Sequence, residues 1–580
     1  MQKDFNNILY VSGGSMEFKV ILSIFVVFIL VKVKRCFLQK QQEDQVTRVE
    51  LQNGLTIIGT MNRTSDENKI YYAYRGIPFA KPPVGDLRFR APVPLSHNFS
   101  GQTLVAREDS SECVQLDVFP IRGSEDCLYI NVYTPQVSNS SSLLSVMVWI
   151  YGGGFGFGSS PYATNGPDFL LNEEVIVVTF NYRLGIFGFL STEDEVSPGN
   201  YGLKDQILAL QWVQDNIEYF GGNKSRVTLF GESAGAASVG YLSHMPITNG
   251  LFRAAIFQSG NSISSWSLIK NPKIKAFSAG AFLHLNISTS QSLVDGLRKV
   301  DYKVLAEAAI LISTGNVLLS NPLNGLPYGP TIEPLHSGAV VVNRSYELLQ
   351  NGAFHRIPYM MGFNSEEGIS FDELLNYIRA YLLKYDLLPT ELTTASLNIA
   401  DPFTKIFLSY VIKIHYFGIV PIFISEQIIK YIGDDSFTRP ITEAALLYSK
   451  FSPVYLYQFA YQGPLGSGER KSKGVGHGEE LPYLWKMDNY AGKPTSSDLL
   501  TRKRLVKLWT NFAKTLNPTP EIDALLDNVT WSLANVDDSF NLRYLNINDT
   551  LEMMTNSKWD SFIFWKNLFS QYGHPPYSTY

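Results

Sequence analysis

Val227-Thr228-Leu229-Phe230-Gly231-Glu232-Ser233-Ala234-Gly235 is the stretch whose reading decides the fold. Val227 to Phe230 predicts a strand, and Ala234 to Leu242 predicts a helix that opens at the serine. The G-x-S-x-G pattern between them is a strand-to-helix elbow, in which the flanking glycines let the chain turn sharply and present a serine hydroxyl. A helix beginning there leaves the Ala234 N–H free where a developing oxyanion would sit. Ser233 is the candidate nucleophile. The bland alternative, a serine in a chance turn, does not account for the strand before it and the helix after it.

Outward from the elbow, short β-branched and aromatic runs alternate with helical patterns. Val146 to Ile150, Val175 to Asn181, Ala254 to Phe257, Tyr359 to Gly362 and Val454 to Tyr461 are apolar almost throughout, as strands covered on both faces must be. Leu203, Ile207, Leu210, Val213, Ile217 and Phe220 form a stripe at three- and four-residue spacing, which predicts a helix with one buried face. The pattern predicts an α/β fold with a large, mostly parallel central sheet and helices on both faces. The Leu-, Ile- and Tyr-rich segment from Phe371 to Tyr448 has helical spacing and reads as a helical insertion able to cap a site.

Tyr151-Gly152-Gly153-Gly154-Phe155-Gly156 follows a predicted strand. A glycine run there frees backbone N–H groups to converge, so Gly153 and Gly154 join Ala234 as oxyanion donors; a flexible turn is the alternative. No GK[ST] or G-x-G-x-x-G spacing follows, which excludes a nucleotide cradle. A serine needs a base, and this fold orders its groups Ser, acid, His along the chain. His477, in Gly474-Val475-Gly476-His477-Gly478 after the last strong strand, fits; His415 reads as a core or lid residue, and His355 precedes a strand. The acid must lie between, at a strand end, where a carboxylate fixes the imidazole tautomer. Glu367 and its neighbour Glu366, both after the strand Tyr359 to Gly362, remain open by spacing alone.

The chain has 580 residues, is 45% hydrophobic and 17% charged, and has a formal charge of -5, so it reads as globular, without the basic excess that nucleic acid binding requires. No linker divides it, and one catalytic domain is expected over residues 46–580. After Lys19, the apolar run Val20 to Val31 is too short to span a bilayer but suits a signal peptide within residues 1–45, with Met16 a plausible start. Secretion is expected, an uncleaved signal anchor being the alternative. Eight N-x-S/T sequons (Asn62, Asn98, Asn139, Asn223, Asn286, Asn343, Asn528, Asn548) agree with it. Of the three cysteines, Cys36 lies beside the targeting segment; Cys113 and Cys127 form either a small bridged loop or two buried thiols.

These residues resemble the type-B carboxylesterase/cholinesterase family from about Val46 to the C-terminus. Phe220-Gly221-Gly222, followed four residues later by the elbow stretch, is similar to the family's active-serine signature, and Glu125-Asp126-Cys127-Leu128-Tyr129-Ile130-Asn131-Val132 to its second. Arg75 to Pro92, Asn181 to Leu190, Gly202 to Gln206 and Trp509 to Pro520 are further similar stretches. The resemblance implies an α/β-hydrolase fold, hydrolysis of small esters without metal or cofactor, Glu367 rather than Glu366 as the acid, and a disulfide between Cys113 and Cys127. Val114 to Asp126 contains no tryptophan, unlike the corresponding cholinesterase loop, which disfavours a choline cation. Juvenile hormone esterases typically carry Gln where Glu232 stands beside the triad. A general carboxylesterase, closest in character to those of insects, is the favoured reading, with a juvenile hormone esterase or a cholinesterase-like enzyme as the alternative. Catalytically dead adhesion ectodomains share the fold, but this chain keeps a complete candidate triad.

Overall fold

The computed structural model describes residues 47–580 apart from 96–98, 116–119, 137–141, 320–325, 372–381, 384, 423–426, 468–471, 489–491 and 536–540. The targeting segment expected over 1–45 lies outside the described residues.

Eleven strands form the main sheet: β1 (Thr60–Arg63), β2 (Ile70–Pro78), β3 (Tyr129–Thr134), β4 (Leu144–Ile150), β5 (Ile176–Phe180), β6 (Gly222–Glu232), β7 (Ala254–Gln258), β8 (Tyr359–Asn364), β9 (Val454–Phe459), β10 (Arg543–Ile547) and β11 (Leu551–Thr555). Their spatial order is β11-β10-β9-β8-β7-β6-β4-β5-β3-β2-β1. From β5 to β10 every neighbouring pair is parallel, and antiparallel strands close both edges. All six strands read from the sequence are present. The added edge strands belong to short, mixed segments such as Thr60–Arg63, whose alternating burial carries a weaker signal than the continuous apolar runs.

The parallel strands need crossover helices. The predicted stripe forms α1 (Tyr201–Asn216), which precedes β6, and the elbow helix α2 (Ala234–His244) follows it. Ile176–Phe180 is buried at every position, which requires cover on both faces. Trp149, Phe230 and Trp485 lock β4 and β6 together, with ring centroids 4.8, 5.0 and 5.7 Å apart. The expected insertion is helical where it is described, with α3 (Pro402–Phe417), α4 (Gln427–Gly433) and α5 (Arg439–Ser449). Later come α6 (Ser496–Thr515) and α7 (Trp559–Tyr572).

Several of the quoted sequence stretches prove to be pairs. Arg88 grips Glu125 through Nε and Nη2, each 2.6 Å from a carboxylate oxygen, and its Nη1 donates to the last carbonyls of the helix Ser290–Lys299. Cys113 and Cys127 are joined at 2.07 Å beside this clamp. Arg183 meets Asp205 in the same bidentate way, at 2.8 and 2.6 Å, with both side chains buried. The two distant stretches are thus halves of one ion pair, which fastens the chain after β5 to α1. Removing one partner leaves a buried charge without compensation. Asp205→Ala is expected to cost about 3–5 kcal/mol of stability, read as the midpoint of denaturant unfolding; a midpoint equal to that of the parent would show that the pair does not fasten these elements.

Candidate active site

The parallel strands all end on one side of the sheet, and the loops that leave them there form the site. Pairing registers align Ile150 with Gly231 and Gln258 with Glu232, so the glycine loop after β4 and the elbow after β6 emerge together. At the elbow Ser233 takes φ 56° and ψ −121°, its N–H donating to the Gln258 carbonyl at 2.8 Å. A left-handed serine is strained, and the turn closes only because its neighbours lack side chains. A Cβ on Gly235 would run into the carbonyl oxygen of Ile150, and one on Gly231 would lie 2.6 Å from the Gly235 carbonyl carbon.

Gly152 packs over the elbow: a Cβ there would lie 2.6 Å from Glu232 Oε2 and 3.0 Å from Ser233 Cβ. Gly153 and Gly154 then take φ 94° and 58°, which aims successive amides differently from an extended chain. Ala234 begins α2, so its N–H has no partner within the helix. The glycine loop, Ser233 and the start of α2 therefore share one corner of the molecule.

The loop around His477 is stitched to the loop after β8. Glu366 N donates to Val475 O at 2.8 Å, Val475 N to Ser365 Oγ at 3.0 Å, Asn364 Nδ2 to Gly476 O at 2.7 Å, and Ser370 Oγ to His477 O at 2.9 Å. Gly474, at φ 100°, has the Glu366 side chain where a Cβ would be. This explains the glycine at position 474. His477 Nδ1 lies 2.7 Å from Glu367 Oε2, and Glu367 Oε1 accepts from Asn364 N at 2.8 Å. Glu366, left open by spacing, faces away and pairs with Lys558 Nζ at 2.5 Å.

The second nitrogen, Nε2, lies 3.1 Å from Glu232 Oε1, so the residue before Ser233 is a direct partner of the imidazole. Burial alone would lower the His477 pKa, but Glu232, Glu367 and Glu480 outweigh it and hold the ring above its ordinary value. Burial pushes the Glu232 carboxyl upward, and the nearby histidine offsets only part of this. Glu480, unforeseen from the sequence, is fully buried and accepts from Gln258 Nε2 at 3.0 Å and Asn364 Nδ2 at 2.7 Å. Its only signal in the sequence was its position three residues after the histidine. Phe437 also went unforeseen, with its ring centroid 4.4 Å from that of His477. Of the other histidines, His415 stacks on Phe564 of α7 and His244 meets the Tyr448 hydroxyl at 2.9 Å. Chemically, the corner brings together a hydroxyl at a strained elbow, an imidazole hydrogen-bonded to a carboxylate, and the backbone amides of a glycine loop and a helix start, the groups that acyl transfer uses.

A sequence profile of the carboxylesterase family matches residues 45–565. Juvenile hormone esterase of Tribolium castaneum is 36% identical over 537 residues, covering 85% of this chain and 87% of its own. Venom carboxylesterase-6 of Apis mellifera is 32% identical, covering 91% and 95%, and liver carboxylesterase 1 of Mus musculus 34%, covering 77% and 82%. The crystal structure of juvenile hormone esterase from Manduca sexta, with OTFP covalently attached, superposes with a TM-score of 0.78 at 29% identity, covering 90% of this chain and 99% of that one.

Because Glu232 holds a proton-competing oxygen against Nε2, Glu232→Gln removes the first of the carboxylates that raise the ring. The His477 pKa is expected to fall, measured as the ring-proton chemical shift against pH in histidine-labelled protein. An unmoved or raised titration would rule out charge coupling between the two.

Proposed function

This chain belongs to the carboxylesterase family and is a carboxylic ester hydrolase, and from that premise we propose that Ser233 is its nucleophile, His477 its base and Glu367 the acid that orients the base. The observation that carries the assignment is the 2.7 Å contact of His477 Nδ1 with Glu367, with Nε2 turned toward the Glu232-Ser233 elbow. In the proposed reaction Nε2 takes the Ser233 proton while the hydroxyl oxygen attacks the ester carbonyl. The tetrahedral oxyanion is held by the N–H groups of Gly153, Gly154 and Ala234. Collapse releases the alcohol, protonated by His477, and leaves an acyl-serine. Water, activated by the same imidazole, then frees the acid and restores the serine.

Its substrates are small-molecule esters, and we propose that they are apolar. The chain's formal charge of -5 gives no electrostatic reason to bind nucleic acid. Among the described residues no helix is long and apolar enough to cross a membrane. The apolar run near the N-terminus and the Cys113–Cys127 bridge support export to an oxidising compartment. Glu232 in the position beside the nucleophile favours a general carboxylesterase over a hormone-specific one.

Ser233→Ala is expected to lower turnover of a short-chain aryl ester by about 10⁴-fold or more, measured as steady-state release of the aryl alcohol; undiminished activity would refute the assignment. A panel set beside it, containing juvenile hormone, a choline ester and aryl esters of rising acyl length, is expected to show highest kcat/KM on the aryl series. A choline preference would overturn the substrate class and leave the chemistry intact.

A further inference from the structure

Between α4 and α5 the helix does not run evenly: Asp434–Thr438 forms a π-helical turn, buried at all five positions. Such a turn widens the helix by one residue and is rare within regular helices, occurring mostly at functional sites. Phe437 lies on this turn, 3% exposed, with its ring 4.4 Å from that of His477 at an interplanar angle of 43°.

The turn is held from several sides. Trp266 Nε1 donates to Ser436 O at 2.9 Å, and the Trp266 ring lies 6.0 Å from that of Phe437. Asp434 accepts from the Tyr416 hydroxyl at 3.1 Å and from Thr438 Oγ1 at 3.2 Å. Asp435 accepts from Arg439 Nη2 at 2.7 Å, and the guanidinium lies 4.9 Å from the Trp565 ring and 5.1 Å from the Phe569 ring, both on α7. Just before the turn, α4 presses on the acid: the Ile429 carbonyl occupies the place a Cβ would take on Gly368, and a Cβ on Gly433 would touch that of Glu367 at 3.9 Å. One helical element therefore contacts both the orienting acid and the imidazole.

We propose that Phe437 is a positioning residue, which the π-turn presents to His477 so that its ring fixes the imidazole and favours the imidazolium formed during acyl transfer. An aromatic face attracts a cation and is nearly indifferent to a neutral ring, so the contact strengthens as the histidine takes the serine proton. An aliphatic side chain would fill the same space without that preference. The groups facing His477 are Glu232 from the elbow, Glu367 from the loop after β8 and Glu480 from its own loop. Asp434 and Asp435 on the turn are engaged by Tyr416 and Arg439.

The inference rests on His477 being the base, and His477→Gln measured alongside separates the two claims. Activity retained in that variant would sink the triad assignment; activity lost there leaves Phe437 as the question. For Phe437→Leu we expect kcat to fall roughly 3- to 30-fold, with KM within about twofold of the parent. The acid limb of the pH–kcat profile should also move to lower pH, because without the ring the histidine gives up its proton more readily. Phe437→Tyr should restore both, and Phe437→Met serves if the leucine variant does not fold. A leucine variant with the parental kcat and limb, a limb moved to higher pH, or a tyrosine variant impaired as much as the leucine one would overturn the proposal.

Discussion

Three stretches of backbone approach at the end of the sheet more closely than side chains permit, and the rest of the site follows from that contact. Gly235 has the Ile150 carbonyl where a Cβ would be, Gly231 has Gly235, and Gly152 lies against Glu232 and Ser233. With β4 and β6 in parallel register and locked by Trp149, Phe230 and Trp485, the chain after β6 turns where it does or clashes. The left-handed conformation of Ser233 is the residue of that constraint. A strained turn of this kind, costing of order 1–3 kcal/mol, persists only where surrounding structure over-determines it. The large buried sheet supplies that surplus.

The second constraint is electrostatic. Three buried carboxylates, Glu232, Glu367 and Glu480, surround one imidazole, and unpaired carboxylates in so dry a setting are costly. Glu367 and Glu480 each have an anchor besides the histidine. For Glu480 the anchor can be traced outward: the Trp509 indole N–H can only donate, so at 3.1 Å it fixes the oxygen of Gln258 toward itself. The Gln258 amide nitrogen then has to point at Glu480. Asn364 divides its amide between Gly476 O and Glu480, and its backbone N–H serves Glu367. The residues ending β7 and β8 thereby set the charge environment of a histidine carried on a different loop.

What could be read beforehand divides along the same line. The elbow, the glycine loop and the six main strands were legible because each is a local pattern: a strand, a turn residue and a helix start are written within ten residues. The choice between Glu366 and Glu367 was not legible in local spacing and came only from the family resemblance, since physically it turns on Lys558, 192 residues away, taking one carboxylate while His477 takes the other. Edge strands such as Thr60–Arg63 and Leu551–Thr555 are short and largely outside the core, so they lack the continuous apolar run that announces a central strand. Glu480, Gln258 and Phe437 act through contacts between segments far apart in the chain. Phe437 was the least accessible, because a π-turn leaves no mark in apolar periodicity that distinguishes it from a regular helix.

That last residue bears on how the molecule separates chemistry from selection. In a sheet-borne site the reacting groups sit at strand ends and the inserted helices shape the pocket, which allows the pocket to vary while the reaction stays fixed. Here the separation is incomplete. The element from α4 to α5 lies in the insertion, yet its backbone packs on Gly368 beside Glu367 and its Phe437 lies against His477. A shift of that element along its axis would move two contacts of the proposed triad at once, since Gly433 and Phe437 are four residues apart on one helical element that Arg439 ties to α7. The buried Asp435–Arg439 pair lies within this element, and the guanidinium's contacts with Trp565, Phe569 and Tyr580 tie it to α7 and the end of the chain, so the insertion is anchored on the side away from His477 as well as against it.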